Sequence, residues 1–253
     1  MKIAVLSDIH GNLGALRAVI NDAQSKGVNE FYCLGDIIGY GAHPKKCLDV
    51  IREYCDIIIL GNHEDIACNL EFWEPKISNE LVIAGIRHAL KQLTDDDISF
   101  LNKLSRKREI KNFGLTLAHA SFSDPTWKYI EDHYTAMVEM RYLKTKLGFV
   151  GHTHVPVVYN MDLPNCSDSI WCSENINSDL ESVANVAKCI INVGSVSQPR
   201  DRDSRASYGL LEFSADQVRY ENIRVKYNIE QAAKDIRKAG LPERTASRLF
   251  EGR

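Results

Sequence analysis

The sequence contains no apolar run approaching the roughly 20 residues that a membrane-spanning helix requires, and no two of its cysteines form a C-x-x-C pair. The first absence excludes a helical membrane protein; the second removes the usual thiolate signatures of zinc and redox sites. Excess positive charge is also missing. The net charge of −3 argues against an electrostatic nucleic-acid binder, long duplex DNA least of all, although a local basic cleft remains open. There is no internal repeat, low-complexity tract or clear linker. The opening MKIAVLSDIH has one lysine and a short apolar stretch ending in an acid, with neither the length of a signal-peptide core nor a small-residue cleavage site. Seven cysteines, at 33, 47, 55, 68, 166, 172 and 189, are odd in number. The expectation is free thiols in a cytoplasmic protein.

What is present is ordinary for a soluble enzyme: 253 residues, 44% hydrophobic and 26% charged. That length is at the upper end of what one core supports, and the expectation is a single domain over 1–253. The first 60 residues alternate strand and helix. KIAVLSD, FYCLGD and DIIIL read as buried strands, with helical stripes at Leu13, Leu16, Val19, Ile20 and Ala23 and again after Pro44. Such alternation implies βαβ units and a parallel sheet. Residues 78–92 and a Thr94–Asp97 capping box predict two helices, and a third is predicted near 135–146. Together 66–104 and 121–146 should contribute a small helical cap. EIKNFGLTLAHA reads as a hairpin turned at Asn112–Gly114, and ASYGLLEFS with QVRYENIRV as one joined at Ala215–Asp216. Residues 161–187 read as an irregular excursion, and Asn228–Ala239 as an amphipathic helix.

The chemistry concentrates where predicted strands end: Asp8-Ile-His10, Gly35-Asp36, Gly61-Asn62-His63-Glu64, His119 and Gly151-His152-Thr153-His154. In open α/β sheets this edge forms the ligand crevice. Strand alternation predicts that Asp8 and His10, and likewise His152 and His154, face the same way. Imidazole and carboxylate together suit manganese, iron, zinc, nickel or cobalt better than calcium or magnesium. Asp36 could bridge two ions, and such a pair can hold a phosphoryl group and a bridging hydroxide. A lone D-x-H or G-D means little, G-N-H-E and G-H-T-H mean more, and their joint order carries the case.

That order resembles the calcineurin-like metallophosphoesterase superfamily, and especially its small bacterial and archaeal phosphodiesterase branch of YfcE-like proteins. GDIIGYGAHP and NVGSVSQPRDRDSRASYGLLE are also similar to that branch, so the likeness spans residues 1 to roughly 225. It implies an α/β fold, a four-layer αββα sandwich of two mixed sheets flanked by helices. It implies one divalent cation on Asp8, His10, Asp36 and His154, and another on Asp36, Asn62, His119 and His152, manganese first among the candidates. It makes His63 the group that stabilises the transition state and protonates the leaving oxygen. Glu64 stands where Asp is commoner, as a partner that could orient His63. Ala120 after His119 and Val193 in NVGS also depart from the pattern without removing a ligand.

Weaker candidates surround this set. Arg200 could bind a substrate phosphate, His43 could line the cleft, and Trp127 with Tyr129 could wall a base or leaving group. Arg106-Lys107-Arg108 reads as a solvated hairpin face, and Asp95–Asp97 as a helix-start cluster. Ser195 and Ser197 lack triad partners. The reading is a binuclear phosphoesterase of small phosphate esters, diesters or nucleotides favoured, in which metal-bridging hydroxide attacks phosphorus. The alternatives are a monoesterase or protein phosphatase of the same fold, or a non-catalytic module such as the retromer-subunit branch. Oligomeric state is open.

Overall fold

The computed structural model describes residues 1–162, 170–173, 186–214 and 218–253. Its first half alternates as the sequence implies: β1 (Lys2–Leu6), α1 (Leu13–Ser25), β2 (Glu30–Cys33), α2 (Pro44–Tyr54), β3 (Ile57–Ile58) and α3 (Asn62–Cys68). The short α4 (Leu70–Trp73) leads to α5 (Glu80–Leu90) and α6 (Asp95–Asn102). Then come β4 (Lys107–Ile110), β5 (Leu115–Ala118), α7 (His133–Met140), β6 (Leu147–Val150), β7 (Val157–Asp162), β8 (Ile170–Ser173) and β9 (Val186–Asn192). The chain closes with β10 (Ala206–Phe213), β11 (Val218–Val225), α8 (Ile229–Lys238) and α9 (Glu243–Glu251).

Two mixed sheets result. The first runs β11-β10-β1-β2-β3 and the second β4-β5-β6-β9-β7-β8. β1, β2 and β3 pair in parallel, as do β5, β6 and β9, and antiparallel strands complete each sheet. Alternation in KIAVL explains the layering. Ile3 and Val5 bury against Leu115, Leu117 and Phe149 of the facing sheet, whereas Ala4 and Leu6 bury against Leu16, Val19 and Leu48 of α1 and α2. Both faces are covered, so the strand reads as a continuous apolar run. On the far side Ala136 and Met140 of α7 cover Val150 and Ile190. The order is therefore helix, sheet, sheet, helix.

Several details differ from expectation. The third predicted helix ends at Met140 instead of reaching residue 146. The expected excursion at 161–187 contains the end of β7, all of β8, a four-residue edge strand paired with β7, and the start of β9; its other residues lie outside the described ones. So does the turn expected at Ala215–Asp216, although the two strands it joins pair in register. α9, whose buried residues are Thr245, Ala246 and Leu249, was not anticipated. Cys33, Cys47, Cys55, Cys68 and Cys189 are free thiols; Cys166 and the side chain of Cys172 lie outside the described residues. Among the described residues no helix is long and apolar enough to cross a membrane.

The capping box at α6 forms as its sequence predicts. Thr94 Oγ1 accepts from the Asp97 amide, and the Asp97 carboxylate accepts from the Thr94 amide and hydroxyl. Asp97 also meets Lys45 and Arg52 of α2. Burial alone would raise its carboxyl, but the Thr94 and Lys45 bonds hold it below the ordinary value. A depressed carboxylate stabilises the fold above its unfolded pKa and loses that contribution as pH falls through its folded value. Asp97→Asn should therefore cost about 1–2 kcal/mol near neutrality. Urea unfolding at neutral pH and near pH 3 checks this: the difference from wild type should shrink in acid.

Candidate metal centre

Five parallel strands, β1, β2 and β3 of one sheet and β5 and β6 of the other, end at a common edge. The turn after β1 supplies Asp8 and His10, the turn after β2 supplies Asp36, and the first turn of α3 supplies Asn62 and His63. From the opposite sheet come His119 after β5 and His152 and His154 after β6. All eight side chains are buried. Strand alternation does not set their directions, contrary to expectation. Asp8, His10, Asp36, His152 and His154 all lie past their strands with positive φ, between 44° and 65°, so sharp turns aim them. Left-handed backbone at non-glycine residues is costly and persists where the surroundings enforce it. Close loop approach provides that enforcement. A Cβ on Gly61 would lie 2.2 Å from Asp36 Oδ1, and one on Gly151 would lie 2.0 Å from Ser7 Oγ.

The donors fall into two groups that share Asp36. His154 Nε2 lies 3.2 Å from His10 Nε2 and 3.2 Å from Asp8 Oδ1. On the other side His119 Nε2 lies 3.1 Å from His152 Nδ1 and 3.0 Å from Asn62 Oδ1. Asp36 Oδ2 stands between them, 3.7 Å from His10 Nε2 and 3.5 Å from His119 Nε2. Its Oδ1 accepts the His63 amide. Backbone carbonyls take up the outward ring nitrogens. His10 Nδ1 donates to Ile38 O, His154 Nδ1 to Gln198 O, His119 Nδ1 to Leu34 O and His152 Nε2 to Trp127 O. A carbonyl only accepts, so each outer nitrogen carries a hydrogen, and wherever the ring is neutral its inner nitrogen presents a lone pair.

That pattern tests whether a cation fits. His10, His154 and Asp8 Oδ1 form a cluster of acceptors without a donor, and Asp8 Oδ1 is buried with no hydrogen-bond partner. Lone pairs facing one another at 3.2 Å repel unless positive charge stands between them. A divalent cation with mixed imidazole and carboxylate ligands would satisfy the group; a hydrophobic or purely hydrogen-bonded core would not. Divalent metal binding is the property these clusters support.

Burial depresses the imidazoles of His10, His63 and His154, the neighbouring His63 charge adding to it at His10 and Arg200 at His154. Burial and then His119 push His152 down to about 3. His119 is the exception: burial lowers it, but Asp36, at hydrogen-bond range, and then Asp8 pull it up to about 9. Burial would raise the Asp8 and Asp36 carboxyls, yet the surrounding imidazoles keep both below the ordinary range. One proton thus resides on His119 in the cation-free protein.

Several neighbours take roles other than those expected. Glu64 does not orient His63. Its Oε1 accepts the Ile37 and Ile38 amides, and its Oε2 the Asp36 and Gly61 amides, so it fastens the Asp36 turn to the start of α3. His63 Nδ1 has no partner, and its ring meets His10 and Tyr40 at centroid distances of 4.6 and 4.8 Å. His43 Nε2 is instead hydrogen-bonded to Asp235 on α8 at 3.0 Å. Trp127 contributes its carbonyl to His152, while its indole donates to Asp65 and packs on Trp73. Tyr129 instead supplies the aromatic face, stacked on His152 at 3.9 Å. Arg200 lies beside His154, to whose carbonyl its amide donates. Arg106 is not merely solvated, because it bridges Asp65 and Thr126. Sequence reasoning missed Tyr40 and Asn192. Asn192 ties the Gly151–His154 turn through Gly151 O and Thr153 Oγ1.

A double sheet with aspartate, asparagine and histidine side chains gathered at its parallel strand ends fits the class of metallophosphoesterase folds. The family model for calcineurin-like phosphoesterase matches residues 1–156, and the chain belongs to that family. It is 35% identical over 257 residues to an uncharacterised protein of Methanocaldococcus jannaschii, covering 99% of this chain and 98% of that one. A metallophosphoesterase of Sphaerobacter thermophilus shares 33% identity over the full length of both chains, with a TM-score of 0.84. A hypothetical protein of Pyrococcus horikoshii has the same fold, with 18% identity and a TM-score of 0.77 over 100% of this chain and 98% of the other. Family and clusters together support metal-dependent phosphoester hydrolysis.

Cation binding at this site must displace the His119 proton. Because that proton leaves near pH 9, affinity should rise with pH below that value, by up to about tenfold per unit. Titration calorimetry in buffers of different ionisation enthalpy should record about one proton released at neutral pH. An affinity independent of pH would contradict the assignment.

Proposed function

We propose that this protein hydrolyses phosphate esters at a two-cation site, with phosphodiester or nucleotide-type substrates favoured. The observation that supports it is the position of the single oxygen Asp36 Oδ2 between two imidazole pairs, 3.7 Å from His10 Nε2 of one and 3.5 Å from His119 Nε2 of the other. Asp8, His10, Asp36 and His154 would hold one cation, and Asp36, Asn62, His119 and His152 the other, manganese preferred and iron, zinc, nickel or cobalt able to compete. Bound there, the pair would supply Lewis acidity that activates water and offsets phosphoryl charge.

The chain's own groups do the rest. The outer carbonyls hold four imidazoles in one tautomer and one orientation, so nothing must reorganise as charge develops on the phosphoryl oxygens. His63 sits beside this set, its Nε2 3.9 Å from Asp36 Oδ2. Burial keeps it neutral near pH 7, and an arriving phosphate anion favours its protonated form. It then stabilises the phosphoryl charge and delivers the proton to the leaving oxygen. The preference for diesters and nucleotides rests on a cleft of about 760 Å³ lined by Tyr129, Ile130, Val155, Pro156 and Arg200. Tyr129 offers a planar face there, suited to an aromatic or base-bearing group.

Metal-stripped protein supplied with manganese or nickel should hydrolyse bis-p-nitrophenyl phosphate. Inertness with every divalent metal would instead favour a binding module. His63→Ala should keep its bound metal, measured by elemental analysis, yet lose about 10²–10⁴-fold in kcat. Unchanged turnover would remove His63 from the mechanism.

A further inference from the structure

A second cavity, of about 570 Å³, opens beside the metal centre and is lined by Tyr40, Ser78, Arg200, Arg244 and Arg248, with Glu80 on its rim. Its volume falls within the range of small-ligand sites, about 300–1,000 Å³. Tyr40 joins the two places. The ring is buried, held at a φ of 44°, and packs on His10 and His63 at 4.7 and 4.8 Å. Its other side faces the Arg248 guanidinium at 6.0 Å.

Three arginines line this one cavity. Arg52, Arg87, Arg205, Arg224 and Arg237 each form an ion pair with a carboxylate. Among the described residues Arg200, Arg244 and Arg248 have no such pair. Arg248 Nε donates to the Arg253 carbonyl, and Arg200 Nε is buried without any partner. The only carboxylate lining the cavity belongs to Glu80, which is exposed. Burial, and after it the Arg200 charge, pushes Arg248 below its ordinary value, so these like charges interact. Gathering three unneutralised guanidiniums in a chain of net charge −3 costs energy that an anion in the cavity would recover. Guanidinium is the group best matched to phosphate oxygens.

We infer that the cavity lined by Tyr40, Arg200, Arg244 and Arg248 binds a second phosphate of the substrate, so that the preferred esters carry a further phosphate beside the one that is cleaved. The inference rests on the metal centre being the place of phosphoryl cleavage. One phenol ring separates the two positions, which suits a short oligophosphate or a nucleoside bisphosphate.

The test compares two chromogenic diesters, the p-nitrophenyl ester of thymidine 5′-phosphate and the same ester with an added 3′-phosphate. With manganese-loaded protein, kcat/KM should be at least about tenfold higher for the phosphorylated ester, a difference of about 1.4 kcal/mol. In Arg244→Ala, where the side chain is exposed and unpaired, that ratio should fall towards one, mainly through KM. Arg248→Ala should behave likewise, and Arg248→Lys should restore part of the ratio. A wild-type ratio near one, or a ratio preserved in the variants while both esters slow together, would overturn the inference. If neither ester is cleaved, the hydrolytic reading fails separately. Calorimetry with thymidine 3′,5′-bisphosphate and thymidine 5′-phosphate then decides: tighter binding of the bisphosphate, lost in Arg244→Ala, supports the subsite, and equal affinities reject it.

Discussion

Four backbone N–H groups converge on the carboxylate of Glu64, and the site's geometry follows from that convergence. Three belong to the turn after β2 and one to the start of α3. A buried carboxylate satisfied by so many amides draws two loops into one piece, since leaving it or them unpaired would cost several kcal/mol in total. The turn carries Asp36, whose Oδ2 stands between the two imidazole pairs, and α3 carries Asn62 and His63. One acid thus positions three residues of the candidate site without itself touching the cluster. The Glu64 side chain reaches across to the Asp36 loop, where it accepts three of these amides.

The outward hydrogen bonds do the corresponding work on the histidines. Four imidazoles donate to carbonyls drawn from the loops after β2, around Trp127 and around Gln198. These carbonyls carry no sequence signature, because any residue could supply them. They nevertheless determine which nitrogen faces inward. The strained φ values at Asp8, His10, Asp36, His152 and His154 are held by the same loops, and a preorganised site is the return on that strain.

The fold was largely legible in the sequence, because strands buried on both faces and amphipathic helices leave strong periodic marks. The donor residues were legible too, since aspartate, asparagine and histidine at strand ends have few other reasons to cluster. The reason for their orientation was not. Alternation along a strand predicted that Asp8 and His10 face together; they do come within 3.9 Å, but because both lie past the strand in left-handed turns. Glu64, Asn192 and Tyr40 act through contacts between loops distant in sequence, which no local pattern encodes. Arg244 and Arg248 lie on α9, a helix whose buried face is built mainly from small residues; nothing in ERTASRLFE points to a cavity 200 residues earlier in the chain near Tyr40.

The division of donors between the two sheets has a further consequence. Asp8, His10, Asp36 and Asn62 come from one sheet, and His119, His152 and His154 from the other. No ligand group is complete on a single sheet, apart from its shared carboxylate. The apolar interface of Ile3, Val5, Leu117 and Phe149 therefore sets the spacing of these side chains, and a cation held by them would act as a rivet through that interface. Sliding of one layer over the other would separate the clustered side chains. On the proposed metal-binding reading, docking of the layers and occupation of the site would be coupled, and metal concentration would enter the folding equilibrium.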